Sequence, residues 1–294
     1  MPWTNYHSHS YYCDGKEAPE MHLQAAIEQQ FHAFGCSSHA PVPFETSWNM
    51  KMDQLEKYAT EIRRLQRKYH SQLDVYLGFE VDYIPQVVGP SSPWIQVYQP
   101  DYSVGSIHFV DTFPDGTPWE VDGRHQVFLD GLEQIFQGNP QLAIERYFAL
   151  TRQMIEEDCP DMVGHLDKIK IQDEGGTLFS ETADWYQNAV RQTLASIRKA
   201  GVKVEINTRG MYKGLWSEPY PSAWIIREMA SMDIPMVLNA DSHHPREISG
   251  QFAEAAKLLT ACGVTTLWVL MDHQWQALPY SPEGYHSLPN LTSS

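Results

Sequence analysis

Two histidines separated by one residue, His7 and His9, lie near the N-terminus, and the pair Asp14-Gly15 follows them. Side chains two residues apart in an extended strand point to the same face, so both imidazoles can bind one metal ion. An Asp-Gly pair is typical of a turn, which can return a carboxylate to the same place. Imidazole and carboxylate groups bind Zn, Mn and Fe. The segment therefore predicts part of a metal site.

Further polar residues follow predicted strands along the rest of the chain. They are His39, Glu80, His108, His165, Glu205, Asn207, Asp241 and His243. A single histidine at a strand end is more often a hydrogen-bonded structural residue than a ligand. Six of the 13 histidines occupy such positions, however, and burying them together with carboxylates is costly unless a cation is present. The set predicts a multinuclear metal centre.

The elements that position these residues alternate between short apolar strands and amphipathic helices. Strands are predicted at 34–39, 75–81, 102–108, 161–165, 202–207, 235–241 and 266–270, and helices at 20–32, 52–69, 142–157, 185–200, 222–231 and 252–261. A long loop is predicted at 109–124. The alternation indicates parallel strands joined by helices, and seven or eight units favour a closed barrel. Functional residues of such barrels lie at the carboxyl ends of the strands.

Composition limits the class of protein and its partners. The 294 residues carry a formal net charge of −16, which argues against nucleic acid and anionic membranes as partners. The apolar runs are far shorter than the roughly 20 residues of a membrane helix, and no signal peptide is visible. The four cysteines lie far apart in the sequence and form no C-x-x-C pair, which indicates that they are reduced. We expect a single domain, residues 1–294, located in the cytoplasm.

The order and spacing of the motifs resemble the PHP (polymerase and histidinol phosphatase) family. The matching segments are His7-Ser-His9, Asp14-Gly15, Ser38-His39, Gly78-Phe-Glu80, Gly105-Ser-Ile-His108, Gly164-His165-Leu-Asp167, Glu205-Ile-Asn207 and Asp241-Ser-His243. Within the family, the pattern is most similar to the monofunctional histidinol-phosphatases. The resemblance implies an α/β fold, a distorted (β/α)7 TIM-like barrel, with its metal site at the carboxyl ends of the strands.

The resemblance also implies a trinuclear centre, with two or three divalent ions (Zn, Mn or Fe) as cofactors. The implied ligands fall into three groups: His7, His9, Glu80 and Asp241 for one ion; Glu80 again with His108 and His165 for a second; and Asp14, His39 and His243 for a third. Glu80, Asp241 and His243 are the expected catalytic residues.

The reaction that the resemblance implies is hydrolysis of L-histidinol phosphate to L-histidinol and phosphate in histidine biosynthesis. A hydroxide bridging two ions would attack phosphorus while the ions neutralise the phosphoryl oxygens. Protonation of the leaving oxygen is left open between the third ion, Asp241 and His243. Cationic side chains near predicted strand ends are expected to bind the phosphate. They are Arg209, Lys168 and Arg246.

Several alternatives stay open. Asp167 either orients a ligand histidine or caps the loop that follows it, and the 109–124 loop could cover the site and contact histidinol. A PHP-type phosphoesterase or nuclease could act on another phosphorylated small molecule or on nucleotides. A non-catalytic module that binds metal for stability is a third reading. We expect a small-molecule substrate and no nucleic-acid or membrane partner, and leave a homo-oligomer open.

Overall fold

The computed structural model describes residues 2–173 and 175–286, which contain twelve strands. They are β1 (Thr4–Asn5), β2 (Ala33–Cys36), β3 (Asp74–Asp82), β4 (Tyr102–Ser106), β5 (Phe109–Thr112), β6 (Pro118–Glu120), β7 (Met162–Val163), β8 (Lys203–Asn207), β9 (Met236–Asn239), β10 (Thr266–Met271), β11 (Gln274–Ser281) and β12 (Gly284–Tyr285). Seven of them form one parallel sheet in the order β1-β2-β3-β4-β7-β8-β9.

Helices connect successive strands and bury one apolar face against the sheet. They are α1 (Pro19–Glu28), α2 (Leu55–Tyr69), α3 (Pro93–Gln96), α4 (His125–Phe136), α5 (Pro140–Glu157), α6 (Asp184–Ala200), α7 (Arg209–Tyr212), α8 (Ala223–Ser231) and α9 (Phe252–Ala261). In α2, for example, Tyr58, Ile62 and Leu65 recur at helical spacing and are fully buried. Within residues 2–173 and 175–286, we find no helix with the length and apolar character needed to cross a membrane.

The first and last strands of the sheet meet through few main-chain hydrogen bonds. Just beyond the ends of these strands, Ser8 and Ser242 form an isolated parallel bridge, in which the Ser242 carbonyl accepts the His9 N–H at 2.8 Å. Two asparagine side chains complete the seam. Asn5 Oδ1 accepts the N–H of Ala240 at 2.9 Å, and Asn239 Oδ1 accepts the N–H of Tyr6 at 2.7 Å. The sheet is therefore a nearly closed barrel, which confirms the predicted fold class.

Aromatic side chains fill the amino-terminal end of the barrel interior. The Tyr102 hydroxyl donates to the Tyr6 carbonyl at 2.6 Å, and the Tyr6 hydroxyl donates to the carbonyl of Leu270 in β10 at 3.0 Å. A Cβ atom at Gly35 or Gly78 would lie within 2.3 Å of the Tyr102 side chain, so both positions need glycine. This packing around Tyr102 agrees with the prediction that functional residues lie at the carboxyl ends of the strands.

Two predicted elements differ from the structure. The strand at 266–270 does not join the barrel: β10 pairs antiparallel with β11 through a turn in which Asp272 and His273 both have positive φ, 49° and 58°. The predicted 109–124 loop contains the hairpin β5–β6, which turns at Gly116 with φ 86°. The pair Asp115-Gly116 is typical of a hairpin turn, but Pro114 and Pro118 beside it argue against strands in the sequence. The single domain at 1–294 stays a prediction, because residues 287–294 lie outside the described part.

Candidate metal centre

The barrel brings all the predicted metal ligands to one end. Glu80 lies in β3, and the others follow the strands by a few residues: His7, His9 and Asp14 follow β1, His39 follows β2, His108 follows β4, His165 follows β7, and Asp241 and His243 follow β9. All are buried except Asp14, whose side chain is 30% exposed. These residues lie together because the carboxyl ends of the parallel strands all lie at the same end of the barrel.

Glu80 lies at the centre of this cluster, and its two oxygens face different imidazoles. Oε2 is 3.1 Å from His7 Nε2 and 2.9 Å from His39 Nδ1. Oε1 is 2.9 Å from His165 Nε2 and 3.7 Å from His108 Nε2. A carboxylate in this position would offer one oxygen to each of two ions, as the resemblance implies. Among the donor groups that are close enough to hold one ion, however, Glu80 belongs only to that with His39 and His108, so its bridging role stays a prediction.

Three groups of donors are close enough to hold one ion each, with ligand atoms within 4.8 Å of one another: His9 with Asp14, His39 and His243; His7 with His9 and Asp241; and His39 with Glu80 and His108. His9 and His39 each belong to two of these groups, whereas the sequence assigned each to a single ion. The division of the ligands among three ions stays a prediction.

The cluster contains buried polar atoms that form no hydrogen bond within the described residues. They are His7 Nε2, His9 Nε2, Asp14 Oδ1, His39 Nδ1, His108 Nε2 and His165 Nδ1. Leaving such atoms unpartnered costs about 1–3 kcal/mol each. Several of these ring nitrogens lie close to carboxylate oxygens but lack the geometry of a hydrogen bond. Divalent cations bound between the nitrogens and the oxygens would give both groups a partner. The donor set therefore fits divalent metal ions.

Two carboxylates behind the cluster orient ligand histidines. Glu205 Oε1 is 2.6 Å from His7 Nδ1, and Asp82 Oδ1 is 2.8 Å from His108 Nδ1. When Nδ1–H donates to these carboxylates, Nε2 carries no proton and faces the centre as a ligand. The sequence analysis placed Glu205 at a strand end but missed Asp82. Asp82 lies two residues after Glu80 and therefore on the same face of β3, which could have indicated that it also belongs to the site.

Glu205 is itself held by a buried hydrogen-bond network. Its Oε1 accepts from the Asn239 amide at 3.1 Å, and its Oε2 accepts from the main-chain N–H of His165 at 2.8 Å and from the Asn207 amide at 3.0 Å. One side chain on β8 thus fixes the His7 ring and the main chain at His165. These belong to two different groups of predicted ligands.

The central carboxylates are kept ionised. Burial alone would raise the pKa of Glu80, but the surrounding imidazoles, His7 first, hold it well below its usual value. Burial likewise opposes ionisation of Asp241, and His7 and Arg209 hold its pKa well below the ordinary range. Asp241 also adopts a left-handed conformation, with φ 52°, which is uncommon for residues other than glycine and typical of functional sites. Anionic oxygens are the form that binds metal ions.

A cavity of about 310 Å³ opens above the cluster, within the usual size range of small-molecule sites. Two of the three predicted phosphate-binding cations line it. Arg209 Nη1 donates to the carbonyl of Asp241 at 2.9 Å and lies 2.8 Å from His243 Nδ1. Lys168 Nζ lies 2.9 Å from Asp122 Oδ2 in the cavity wall.

Arg246, the third predicted cation, is not brought to the cavity. It is exposed in the short 3₁₀ helix Pro245–Glu247, which turns the chain outward after His243. Its main-chain N–H donates to His244 Nδ1 at 3.1 Å. The structure therefore provides no contact between the Arg246 side chain and a ligand in the cavity.

Acidic and aromatic side chains also line the cavity. Glu120 and Asp122, from the end of the β5–β6 hairpin, line the cavity together with Trp48. The Trp48 indole donates to Glu120 Oε2 at 3.2 Å and stacks on Phe109 at 5.4 Å. Sequence analysis anticipated a contribution from the 109–124 segment but missed Trp48, which lies in an irregular stretch without periodicity.

Asp167 takes neither of its two proposed roles, because its side chain makes no hydrogen bond, in the part of the chain that the structure describes, that caps the 3₁₀ helix after it. Its Oδ2 accepts hydrogen bonds from Lys170 Nζ at 2.9 Å and from the N–H of Ser222 at 2.9 Å. These contacts fasten the 3₁₀ helix Lys168–Gln172, which carries Lys168, to the segment before α8. No hydrogen bond joins Asp167 to a ligand imidazole among the described residues.

The sequence model of the PHP domain matches residues 5–209, which cover most of the barrel. The chain belongs to the PHP family. Asp241 and His243 lie beyond the matched range, yet the barrel places them against the ligands contributed by this PHP domain.

Individual proteins are similar over most of the chain. A protein of Deinococcus radiodurans named "Probable histidinol-phosphatase" is 28% identical over 251 residues, 85% of this chain and 89% of its own length. The hisK structure from Listeria monocytogenes superposes with a TM-score of 0.73 at 23% identity, over 85% of this chain and 99% of the other. The structure of histidinol phosphate phosphatase from Lactococcus lactis, complexed with zinc, L-histidinol and phosphate, superposes with a TM-score of 0.67 at 18% identity. The match covers 97% of this chain and 99% of the other.

Proposed function

We propose that this protein is a metal-dependent phosphomonoesterase that hydrolyses L-histidinol phosphate to L-histidinol and phosphate. The observation that carries the proposal is the buried cage of imidazoles and carboxylates around Glu80, open to a cavity with Arg209 in its wall. The names of the relatives support the substrate, since the Deinococcus protein and the Lactococcus structure both refer to histidinol phosphate hydrolysis.

The chemistry divides between the ions and the protein. Divalent ions, when bound, lower the pKa of water and neutralise charge on a phosphoryl group. Glu80 and Asp241 supply anionic ligands, while Glu205 and Asp82 fix the ring orientation of two ligand histidines. His243 and Asp241 also line the cavity. Because Asp241 is kept ionised and has no proton to give, His243 is the better placed of the two to protonate the leaving oxygen.

The charged residues that line the cavity suit the charged groups of the substrate. The Arg209 guanidinium is oriented by Asp241 and by the Tyr212 hydroxyl, at 3.3 Å, and presents a fixed cation to the phosphate. Glu120 supplies an anionic oxygen for the ammonium or imidazole group of histidinol. Lys168 and Asp122 are already paired at 2.9 Å, so both of their charges are partly neutralised before a substrate arrives.

Arg209→Ala should raise KM for L-histidinol phosphate by about 10- to 100-fold, the usual effect of losing a charge-assisted hydrogen bond. Arg209 supplies no metal ligand, but its Nη1 lies 2.8 Å from Nδ1 of the predicted ligand His243, so metal content is compared at saturating metal, where it should stay at the wild-type level. Steady-state kinetics with elemental analysis would measure both. Arg246→Ala is the matched control, since it removes an exposed arginine outside the cavity. Unchanged kinetics in Arg209→Ala would exclude it as a phosphate contact.

The substrate is tested by phosphate release from a panel of compounds. L-Histidinol phosphate, other phosphomonoesters, nucleotides and single-stranded DNA should be compared at equal metal loading. We expect the highest kcat/KM for L-histidinol phosphate. A preference for nucleotides or DNA would instead support a PHP-type nuclease. No release from any compound by metal-loaded protein would support a non-catalytic module.

A further inference from the structure

The cavity wall contains a tyrosine that the predicted metal centre does not use. Tyr220 lines the cavity but is only 1% exposed. Its hydroxyl forms no hydrogen bond within residues 2–173 and 175–286. A buried hydroxyl without a partner is unusual, because most buried polar groups in proteins are satisfied.

The main chain of Tyr220 is fastened to the end of β8. Its carbonyl accepts the N–H of Asn207 at 2.7 Å, and its own N–H donates to the Asn207 carbonyl at 2.9 Å. Asn207 is also part of the network around Glu205, to which its amide donates at 3.0 Å. Tyr220 is therefore tied to the same strand end that orients ligands of the metal centre.

The ring of Tyr220 is confined from two sides. Lys170 Nζ lies 5.1 Å from the ring centroid, a distance typical of a cation–π contact. A Cβ atom at Gly210 would lie 3.0–3.1 Å from the ring and its hydroxyl, so glycine leaves the space that the phenol occupies. Both neighbours restrict the space in which the Tyr220 ring can move.

The same contacts place the ring beside the cationic wall. Gly210 directly follows Arg209, and both residues line the cavity with Tyr220. Burial raises the pKa of the Tyr220 phenol above its ordinary value, so the group keeps its proton. A neutral phenol that lines a cavity together with an arginine is a hydrogen-bond donor suited to an anion.

We propose that Tyr220 is a further catalytic residue, which donates a hydrogen bond from its hydroxyl to a phosphoryl oxygen of the bound phosphomonoester. The inference rests on the proposed function, which brings such an oxygen into the cavity. Tyr186 and Tyr285 provide a contrast: their hydroxyls are buried and unpartnered within the described part of the chain, but neither residue lines the cavity.

Tyr220→Phe in the metal-loaded full-length protein tests the proposal, with Tyr186→Phe and Tyr285→Phe as matched controls. We expect Tyr220→Phe to lower kcat/KM for L-histidinol phosphate by about 10- to 100-fold and to weaken binding of inorganic phosphate, measured by calorimetry, by a similar factor. Metal content and melting temperature should not fall, because phenylalanine keeps the ring. The two control variants should match the wild type in kinetics and phosphate binding.

Wild-type kcat/KM and phosphate affinity in Tyr220→Phe would overturn the proposal. A parallel loss of metal or of thermal stability would also overturn it, because the effect would then be structural. The phosphate measurement separates this inference from the substrate assignment. If wild-type protein does not hydrolyse L-histidinol phosphate but binds phosphate in a Tyr220-dependent way, the assignment fails and the contact stands. Wild-type protein that binds no phosphate would overturn the contact as well.

Discussion

Glu80→Gln should lower phosphate release by at least about 1,000-fold, which corresponds to about 4 kcal/mol of lost transition-state stabilisation. The two oxygens of Glu80 face separate imidazoles, those of His39 and His165 each at 2.9 Å, so this carboxylate joins two halves of the cage. Glutamine keeps the shape of the side chain but is neutral, and one of its two terminal atoms is an amide nitrogen that cannot bind a cation.

Two measurements check this prediction: the rate of phosphate release at saturating substrate, and the number of metal ions per chain by elemental analysis. We expect both to fall. Glu254→Gln is a suitable control because Glu254 is exposed on α9, where it pairs with the exposed Lys257. A Glu80→Gln variant that keeps wild-type metal content and at least a tenth of the activity would be incompatible with a bridging role.

Glu205→Ala should lower both the metal affinity and the stability of the folded protein, and this is the second large effect that we expect. The substitution removes a shared acceptor from four buried donors: His7 Nδ1, the main-chain N–H of His165, and the amides of Asn207 and Asn239. Of these, the Asn207 amide keeps its hydrogen bond to Asp241 Oδ2 at 3.2 Å. The free energy of unfolding of the metal-free protein should fall by about 3 kcal/mol or more. Metal affinity should fall by about 10- to 100-fold, because the His7 ring loses the group that orients it.

Denaturant unfolding of metal-free protein and chelator competition measure the two effects separately. Glu205→Gln retains one acceptor oxygen, so it should recover part of the stability and less of the metal affinity. The exposed Glu254→Ala should change neither quantity. If Glu205→Ala binds metal as tightly as the wild type, the carboxylate has no role in orienting ligands, whatever its contribution to folding.

Sequence alone could predict most of the cage because parallel topology converts distant positions into neighbours. His7, His39, His108 and His165 are spread over more than half of the chain, yet each follows a strand of one barrel. Once the alternation of strands and helices indicates a barrel, the carboxyl ends must meet at one rim. No pairwise signal between these residues is needed for that prediction.

The rest depends on local geometry that periodicity does not record. Arg246 follows His243 by three residues, yet a 3₁₀ helix turns it to the surface. Trp48 and Tyr220 reach the cavity from irregular segments, where neither a strand nor a helix pattern indicates the direction of a side chain. The grouping of donors around individual ions depends on ring orientation, which is set by buried partners such as Asp82.

Anomalous diffraction tests the central claim most directly, because it locates bound ions without reference to activity. Crystals of protein loaded with Zn or Mn should be measured on both sides of the absorption edge of the metal. We predict at least two anomalous peaks inside the cage, on either side of the Glu80 carboxylate and within coordination distance of the imidazoles of His7, His9, His108 and His165. A cage without peaks in crystals of active, metal-loaded protein would contradict the account.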